Sequence, residues 1–450
     1  MRYIPHTEQD IQQMLETIGV ASIRELFQDI PSDLYIEGPL PIPPALDEHA
    51  LFKRLSQLAA KNADTTRYIS FLGAGAYDHF IPAVVNAIIS RGEFLTAYTP
   101  YQPEASQGLL QSIFEFQTMV CELTGMDVAN ASMYDASTAL AESALMACHI
   151  TGRSKVVVSQ GVHPHYRQVL RTYLWTNSRQ LVEVPLSEEG VTEPNALRAA
   201  VDAQTACAIV QYPNFFGLIE PLAPVAETAH QVGALAIACV DPIALGVLKP
   251  PGEYGYDIVV GEGQGLGNAM GFGGPMLGLF ACKQEHLRRI PGRIVGQTTD
   301  VEGRRGFVMT LRTREQDIRR EKATSNICTN EALCALASTV FMAALGKAGF
   351  RELSETCTQK AHYAARLLTQ IPDVRLKYPN TPFYKEFVLE LPRSAQAVCD
   401  ALLEHNIIAG LPLGEYDASM ERHLLVCVTE TRTREEIETF AEAMRAVLER

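Results

Sequence analysis

The stretch YDIVVGEGQGLGNAMGFGGP, Tyr256 to Pro275, joins a short apolar run to a loop crowded with glycine, and it contains no lysine. A β-branched run that ends in glycines reads as a buried strand entering a loop. The glycines also invite a dinucleotide-binding reading, but the G-x-G-x-x-G spacing fails. Leu266 stands five residues after Gly261, Asn268 stands five after Gly263, and the loop comes late in the sheet, away from a first strand-to-helix turn. No Walker phosphate loop is present.

Outward from this stretch the same kind of run recurs between residues 70 and 325: KVVVSQ, LVEVPL, ACAIVQYP, ALAIACVD, DIVVGE and MLGLFAC, separated by helical stretches such as LAPVAETAHQVG. Near-continuous apolar strands alternating with helices predict an α/β domain, a mostly parallel sheet covered on both faces. A long helix, SQGLLQSIFEFQTMVCELTG, precedes them, and another, NEALCALASTVFMAALGKAG, follows. The tail reads FVLELP (strand), SAQAVCDALLEHN (helix), IIAGLPL (strand), HLLVCVTE (strand), REEIETFAEAMRAVL (helix), a small C-terminal α+β lobe. At the other end Thr7 with Asp10 forms a capping box ahead of Ile11, Met14, Leu15 and Ile18, and Gly19 suits the stop. A second short helix starts at Ser22, and the proline-rich IEGPLPIPPALDE reads as an extended arm. The boundaries that follow are 1–69 for a helical arm, 70–325 for the large domain and 326–450 for a linking helix and the C-terminal lobe.

A length of 450 residues, 47% of them hydrophobic, suits a globular chain of this organisation. The net charge of −14 without a basic run argues against nucleic acid, because neutralising phosphates takes clustered Lys and Arg. The first residues lack an apolar signal region, and no apolar run is read as spanning a bilayer, which takes about 18–20 residues. Ten cysteines lie scattered with no C-x-x-C pair, as in a reducing cytosol, so neither a disulfide frame nor a metal site is expected and the location is read as cytoplasmic.

Ligands of open α/β sheets sit at the carboxyl ends of the strands. Asp241 ends ALAIACVD there, and a buried carboxylate needs a partner such as a protonated ring nitrogen; a turn former before Pro242 is an equal reading. His163, after KVVVSQ, is placed to stack on a ring, although a hydrogen-bonded loop histidine is the simpler account. NASMYDASTAL enters a helix through Ser137 and Thr138; a helix N-terminus holds anions, yet capping alone explains both residues. Two further segments stand out. One is FLGAGAYDHFIPAVVNAIISRGEFLTAYTPYQPEASQG, where Tyr98, Tyr101, Gln102 and Glu104 precede a helix start. The other is LRTREQDIRREKATSNICTNEA, whose charged half reads as a solvated amphipathic helix with i,i+4 pairs and whose KATSNICT half does not.

In this order the features resemble the fold-type-I pyridoxal-phosphate enzymes, in which a lysine anchors the cofactor. By that analogy the lysine slot falls at about Gly265, preceded by Gln264. Lys249 lies too soon after Asp241, and Lys283 lies beyond the next strand; both are expected in solvated contacts. RYIPHTEQDI, FLGAGAYDHF, AYTPYQPEASQG, FEFQTMVCELTGMDVANASMYD and REKATSNICTNEA are similar to the glycine decarboxylase P proteins and specifically to their lysine-lacking N-terminal half, in a resemblance that runs from Tyr3 to the tail. The resemblance implies a seven-stranded fold-type-I sheet and a reaction in which pyridoxal phosphate takes up glycine, CO2 leaves, and the aminomethyl group passes to the lipoyl arm of H protein. It implies that a homologous lysine-bearing subunit, two copies pairing with two of this chain, holds the cofactor covalently. Tyr98, Tyr101, Gln102 and Glu104 are then expected to serve the partner's chemistry. Thr324, Ser325 and Asn326 are expected to point toward its cofactor, and Arg312 or Arg314 to attract the glycine carboxylate. His163 and Asp241 remain as a vestigial site. A purely structural or regulatory subunit, and a self-sufficient enzyme using an unexpected lysine, are the competing readings.

Overall fold

The computed structural model describes residues 5–36, 38–271 and 273–449. The chain forms two compact units that divide after Ala63. In the first, the helix α1 (Glu8–Ile18) opens on the expected capping box and ends at Gly19 in the left-handed conformation. Ser22 caps a short 3-10 turn, Ile23–Phe27.

The second unit is built on a seven-stranded sheet: β1 (Val128–Ala129), β2 (Lys155–Ser159), β3 (Gln180–Val184), β4 (Thr205–Tyr212), β5 (Leu235–Val240), β6 (Ile258–Glu262) and β7 (Gly278–Cys282). Its spatial order is β1-β7-β6-β5-β4-β2-β3. Neighbours from β3 through β6 are parallel, whereas β7 runs antiparallel to both β6 and β1. All six apolar runs are strands of this sheet. Their side chains alternate between two cores: Val157, Ala208, Val210 and Val259 face one, and Val156, Val158, Cys207, Ile209, Ile258 and Val260 face the other. That is the period of two expected of strands buried on both faces.

The long helices α2 (Gln107–Thr124) and α3 (Ala136–Thr151) cover the sheet, each closed by a left-handed glycine, Gly125 and Gly152. The helix α4 (Ala332–Leu368) runs well past the end expected from sequence and breaks at Gly346. By length and composition it is the one described helix able to cross a bilayer, against the sequence reading. Its break and its buried Phe341, Cys357 and Leu368 fit a core helix. In the tail Glu386–Glu390, His423–Cys427, Leu411–Pro412 and Arg375–Leu376 form an antiparallel sheet. A hairpin, Ile294–Thr299 with Arg305–Thr310, had no sequence expectation.

The charged half of LRTREQDIRREKATSN is not one amphipathic helix. It is three short turns, Arg312–Arg314, Gln316–Arg319 and Arg320–Lys322. Leu311 and Arg320 take positive φ, and Arg314 turns inward to cap Leu311 O, Gly292 O and Ile290 O. Capping carbonyls elsewhere takes the place of an i,i+4 ladder.

Candidate functional site: a pocket filled from within

The carboxyl ends of β4, β5 and β6 meet the loop 71–80 and the C-terminal strand Glu386–Glu390 over one small pocket. Asp241 leaves β5 into this space, with Oδ1 accepting from the Ile243 amide at 3.1 Å. The other oxygen meets Lys385 Nζ at 2.7 Å. Lys385 is 1% exposed. Its ammonium lies 3.4 Å from the Tyr77 ring centroid and donates to His79 Nε2 at 3.1 Å. His79 Nδ1 in turn lies 2.6 Å from Glu430 Oε2, so the neutral ring donates to Glu430 and accepts from Lys385. Burial and the Lys385 charge both hold His79 below its usual value, consistent with that tautomer. Burial alone would raise Glu430, but His79 and the Phe80 amide hold it down to about 2. Burial likewise disfavours charge on Lys385, yet Asp241 raises it overall. The buried chain Asp241–Lys385–His79–Glu430 is therefore fully partnered.

Glu386, the next residue, is also buried. Its oxygens accept from the Ala74 amide at 2.7 Å and the Tyr77 hydroxyl at 2.8 Å. The strand comes this close because Gly217, at φ +81°, has no Cβ to overlap Glu386 O. His163 stacks on Tyr166, with ring centroids 4.6 Å apart, while its Nε2 donates to Ala74 O at 3.0 Å and its Nδ1 accepts from the His165 amide at 3.1 Å. Burial lowers it to about 4, so it is neutral. Both sequence readings of Asp241 hold in part, since it makes a turn and has a cationic partner. For His163 the hydrogen-bonded loop reading holds.

These residues do not fit a pyridoxal-phosphate ring. Asp241, the residue expected to meet the ring nitrogen, already has a cation, and the cavity left is about 30 Å³, where one water needs about 10–15 Å³. The amides at the start of α3, where a phosphate would dock, are met by carboxylates. Asp135 accepts from the Thr138 amide at 2.9 Å, and Glu262 accepts from the Ala136 amide at 3.0 Å. At the lysine slot a Cβ on Gly265 would stand 3.0 Å from His79 Cδ2. Its neighbour Gln264 is a latch, accepting from the Tyr77 amide at 2.8 Å and donating to Tyr77 O and Asn268 O at 3.2 and 2.7 Å. Lys249 makes an exposed contact with Glu253, as expected. Lys283 departs from expectation: it is half-buried and pairs with Asp257 Oδ1 at 2.5 Å, at the opposite end of β6.

The burial that builds this pocket sets a pH dependence. Burial pushes Glu386 up to about 7, against the lowering pull of the Ala74 amide, Lys385 and Tyr77. Glu262 is pushed up to about 7 in the same way, against the amides it accepts from. A carboxyl with a raised folded value binds its proton more tightly when folded. Its contribution is present below about 4.5 and lost as pH rises to about 7, by up to about 1.4 kcal/mol per pH unit for each group. Glu430 acts oppositely, losing its contribution only below about 4.5. The urea midpoint is therefore expected to fall between about pH 6.5 and pH 8, above the range in which His163, held down to about 4, adds stability with rising pH, and the fall is shallower in Glu386→Gln. Equal slopes in the two proteins would remove Glu386 from this account.

The other sequence-chosen residues lie elsewhere, and none lines this pocket. Tyr98 is 83% exposed and borders a cavity of about 250 Å³ with Arg293, Thr329 and Asn330. Tyr101 borders one of about 200 Å³ with Arg293, Glu315 and Cys328. Gln102 and Glu104 are exposed in the turn before α2. Thr324, Ser325 and Asn326 line a third cavity, beside Glu142, His149 and Tyr173. The structure thus joins Tyr98 and Tyr101 to the segment 327–331 and sets Thr324–Asn326 apart. Of the two arginines singled out, Arg314 is spent on backbone carbonyls, and Arg312 pairs with Asp317 at 2.6 Å. Sequence reading missed Lys385, His79, Glu430, Glu386 and Arg293. The one available signal was the charged pair Lys385-Glu386 entering the apolar run FVLELP.

Against known proteins, the family described as glycine cleavage system P-protein matches residues 1–444. The chain is 53% identical over 447 residues to a probable glycine dehydrogenase (decarboxylating) subunit 1 of Desulforamulus reducens, covering 99% of this chain and 100% of that one. It is 55% identical over 440 residues to the protein of that name from Geobacillus kaustophilus, covering 98% and 97%. Among solved structures it resembles an inhibitor-bound glycine decarboxylase (P-protein), with TM-score 0.90, 48% identity and complete coverage of both chains. A sphingosine-1-phosphate lyase of Burkholderia pseudomallei matches at TM-score 0.67 and 15% identity over 92% of this chain and 93% of that one, a likeness of fold alone.

Proposed function

Because this chain belongs to the glycine cleavage system P-protein family, we propose that it serves glycine decarboxylation as the subunit that holds no cofactor and completes the active site of a homologous, lysine-bearing subunit. The observation that carries the reading is the Lys385 ammonium seated on Asp241, in a pocket with Gln264 at the lysine slot. The pyridoxal phosphate of the assembled enzyme, with its covalent anchor, then belongs to the partner. The aminomethyl group passes onward to the lipoyl arm of H protein. Apolar side chains such as Ile42 and Phe52, 69% and 75% exposed in the first unit, support assembly with partner chains; the reading takes that assembly as two of each, in the cytoplasm.

In this reading Tyr98, Tyr101, Gln102 and Glu104 reach toward the partner's chemistry, because all four are exposed, although Arg312 lies over the Tyr101 ring. The Tyr101 hydroxyl offers a donor to a carboxylate, and Glu104 a proton acceptor. Thr324, Ser325 and Asn326 supply short polar groups from a separate cavity beside Glu142, although Ser325 Oγ already accepts from the Ile327 amide at 3.1 Å. Tyr101→Phe and Asn326→Ala, assayed in the assembled complex, test these roles. A contributing group is expected to cost about 1–3 kcal/mol of transition-state stabilisation, roughly 5- to 150-fold in rate. Unchanged rates in both variants with assembly intact would reduce these segments to interface packing and favour a structural subunit.

A further inference from the structure

The cavity of about 200 Å³ beside Tyr101 carries charges of both signs, and two of its polar groups lack a protein partner. Arg293 is 9% exposed. Its Nη1 donates to Thr329 Oγ1 and Asn330 Oδ1, both at 3.2 Å, and its Nη2 to Cys328 O at 2.8 Å. Those bonds fix the guanidinium plane and leave Nε buried with nothing to donate to. Glu315 Oε2 stands 3.9 Å from that Nε, too far for a hydrogen bond, and Glu315 Oε1 is buried without a donor. The side chains lining the cavity thus hold an unmet donor and an unmet acceptor, both buried, each costing about 1–3 kcal/mol while unsatisfied. Of the neighbouring charges, Arg314 is bonded to backbone carbonyls, and Arg312, whose Nε is also buried without a partner, has a carboxylate. Arg312 pairs with Asp317 at 2.6 Å and lies over the Tyr101 ring, 5.0 Å from its centroid. Arg293 and Glu315 together leave no net charge, so a lone anion or a lone cation satisfies one group and repels the other. A molecule that carries an acceptor and a donor close together, and no net charge, satisfies both.

We propose that this cavity binds a small zwitterionic amino acid, its carboxylate accepting from Arg293 Nε and its ammonium donating to Glu315 Oε1. In the setting of this family that ligand is glycine, held on the lysine-lacking subunit beside Tyr101. The proposal rests on the reading that the Tyr101 turn borders the chemistry, and it adds a site for the substrate on this chain's own residues. The test uses the full chain alone, without partner or cofactor, titrated calorimetrically with glycine, with acetate and with methylammonium. Glycine is expected to saturate, and acetate and methylammonium each to bind at least about tenfold more weakly, or about 1.4 kcal/mol. Glu315→Gln keeps the shape and removes the charge, and Arg293→Lys keeps the charge and removes Nε. Each is expected to weaken glycine binding at least about tenfold. If Arg293→Lys lowers the melting temperature, Glu315→Gln decides alone. Absence of saturable glycine binding, acetate matching glycine, or undiminished binding in Glu315→Gln would overturn the site. Complementation of the partner is read separately by decarboxylation in the mixed complex, so either idea can fail without the other.

Discussion

Lys385→Met is expected to destabilise the folded chain by about 3–5 kcal/mol, the cost of removing one member of a buried ion pair. The reason is what would remain. Asp241 would be left with an 11% exposed side chain and only the Ile243 amide for company. His79 Nε2 would lose its donor, and the Tyr77 ring its cation. Methionine replaces much of the stem volume, so the loss is mainly electrostatic. Removing both charges, in Lys385→Met with Asp241→Asn, is expected to recover most of the stability, because the desolvation of two buried ions disappears along with their attraction. A double-mutant cycle read by urea midpoints at unchanged m-value isolates the coupling. A single variant within about 0.5 kcal/mol of the parent would mean that the pair is not the internal counter-ion described here.

That pair marks where sequence reading stops. The strands of the sheet were legible because their pattern is local: KVVVSQ, ACAIVQYP and DIVVGE each declare a buried strand without reference to the rest of the chain. The absent lysine was legible too, since it needs only the end of one strand. What fills the pocket was not. Asp241 and Lys385 flank strands of different sheets, and a lysine just ahead of a C-terminal strand reads as a solvated charge until the fold brings it against a carboxylate. The broken turns at Arg312–Lys322 escaped for a similar reason. The carbonyls that Arg314 caps, at Ile290 and Gly292, belong to a loop the arginine reaches only in three dimensions. The end of α4 was placed too early, at Gly349, whereas the helix, broken at Gly346, runs on to pack Cys357, Ala361 and Leu368 into the core. Tertiary burial there outweighs the local signal.

The isolated chain is expected to show no glycine decarboxylation and no visible absorbance of a lysine-bound cofactor after incubation with pyridoxal phosphate and dialysis. Three independent obstacles argue for a complete loss. Gln264 and Gly265 stand where an anchoring amine is needed. The carboxylate for the ring nitrogen is held at 2.7 Å by Lys385. The start of α3 is already met by Asp135 and Glu262. No single substitution lifts all three, so Gln264→Lys and Gly265→Lys are each expected to leave the chain colourless; the amine would meet His79 and a cavity of about 30 Å³. Adding the homologous lysine-bearing subunit should restore activity from two chains that are each inactive alone, with sedimentation showing the two together. The size of that gain separates the readings, since an active-site contributor raises the rate per cofactor and a scaffold only raises the amount of folded partner. A cofactor band in the isolated chain that survives dialysis and disappears with Lys249→Ala or Lys283→Ala would reverse the assignment and make this chain an enzyme in its own right.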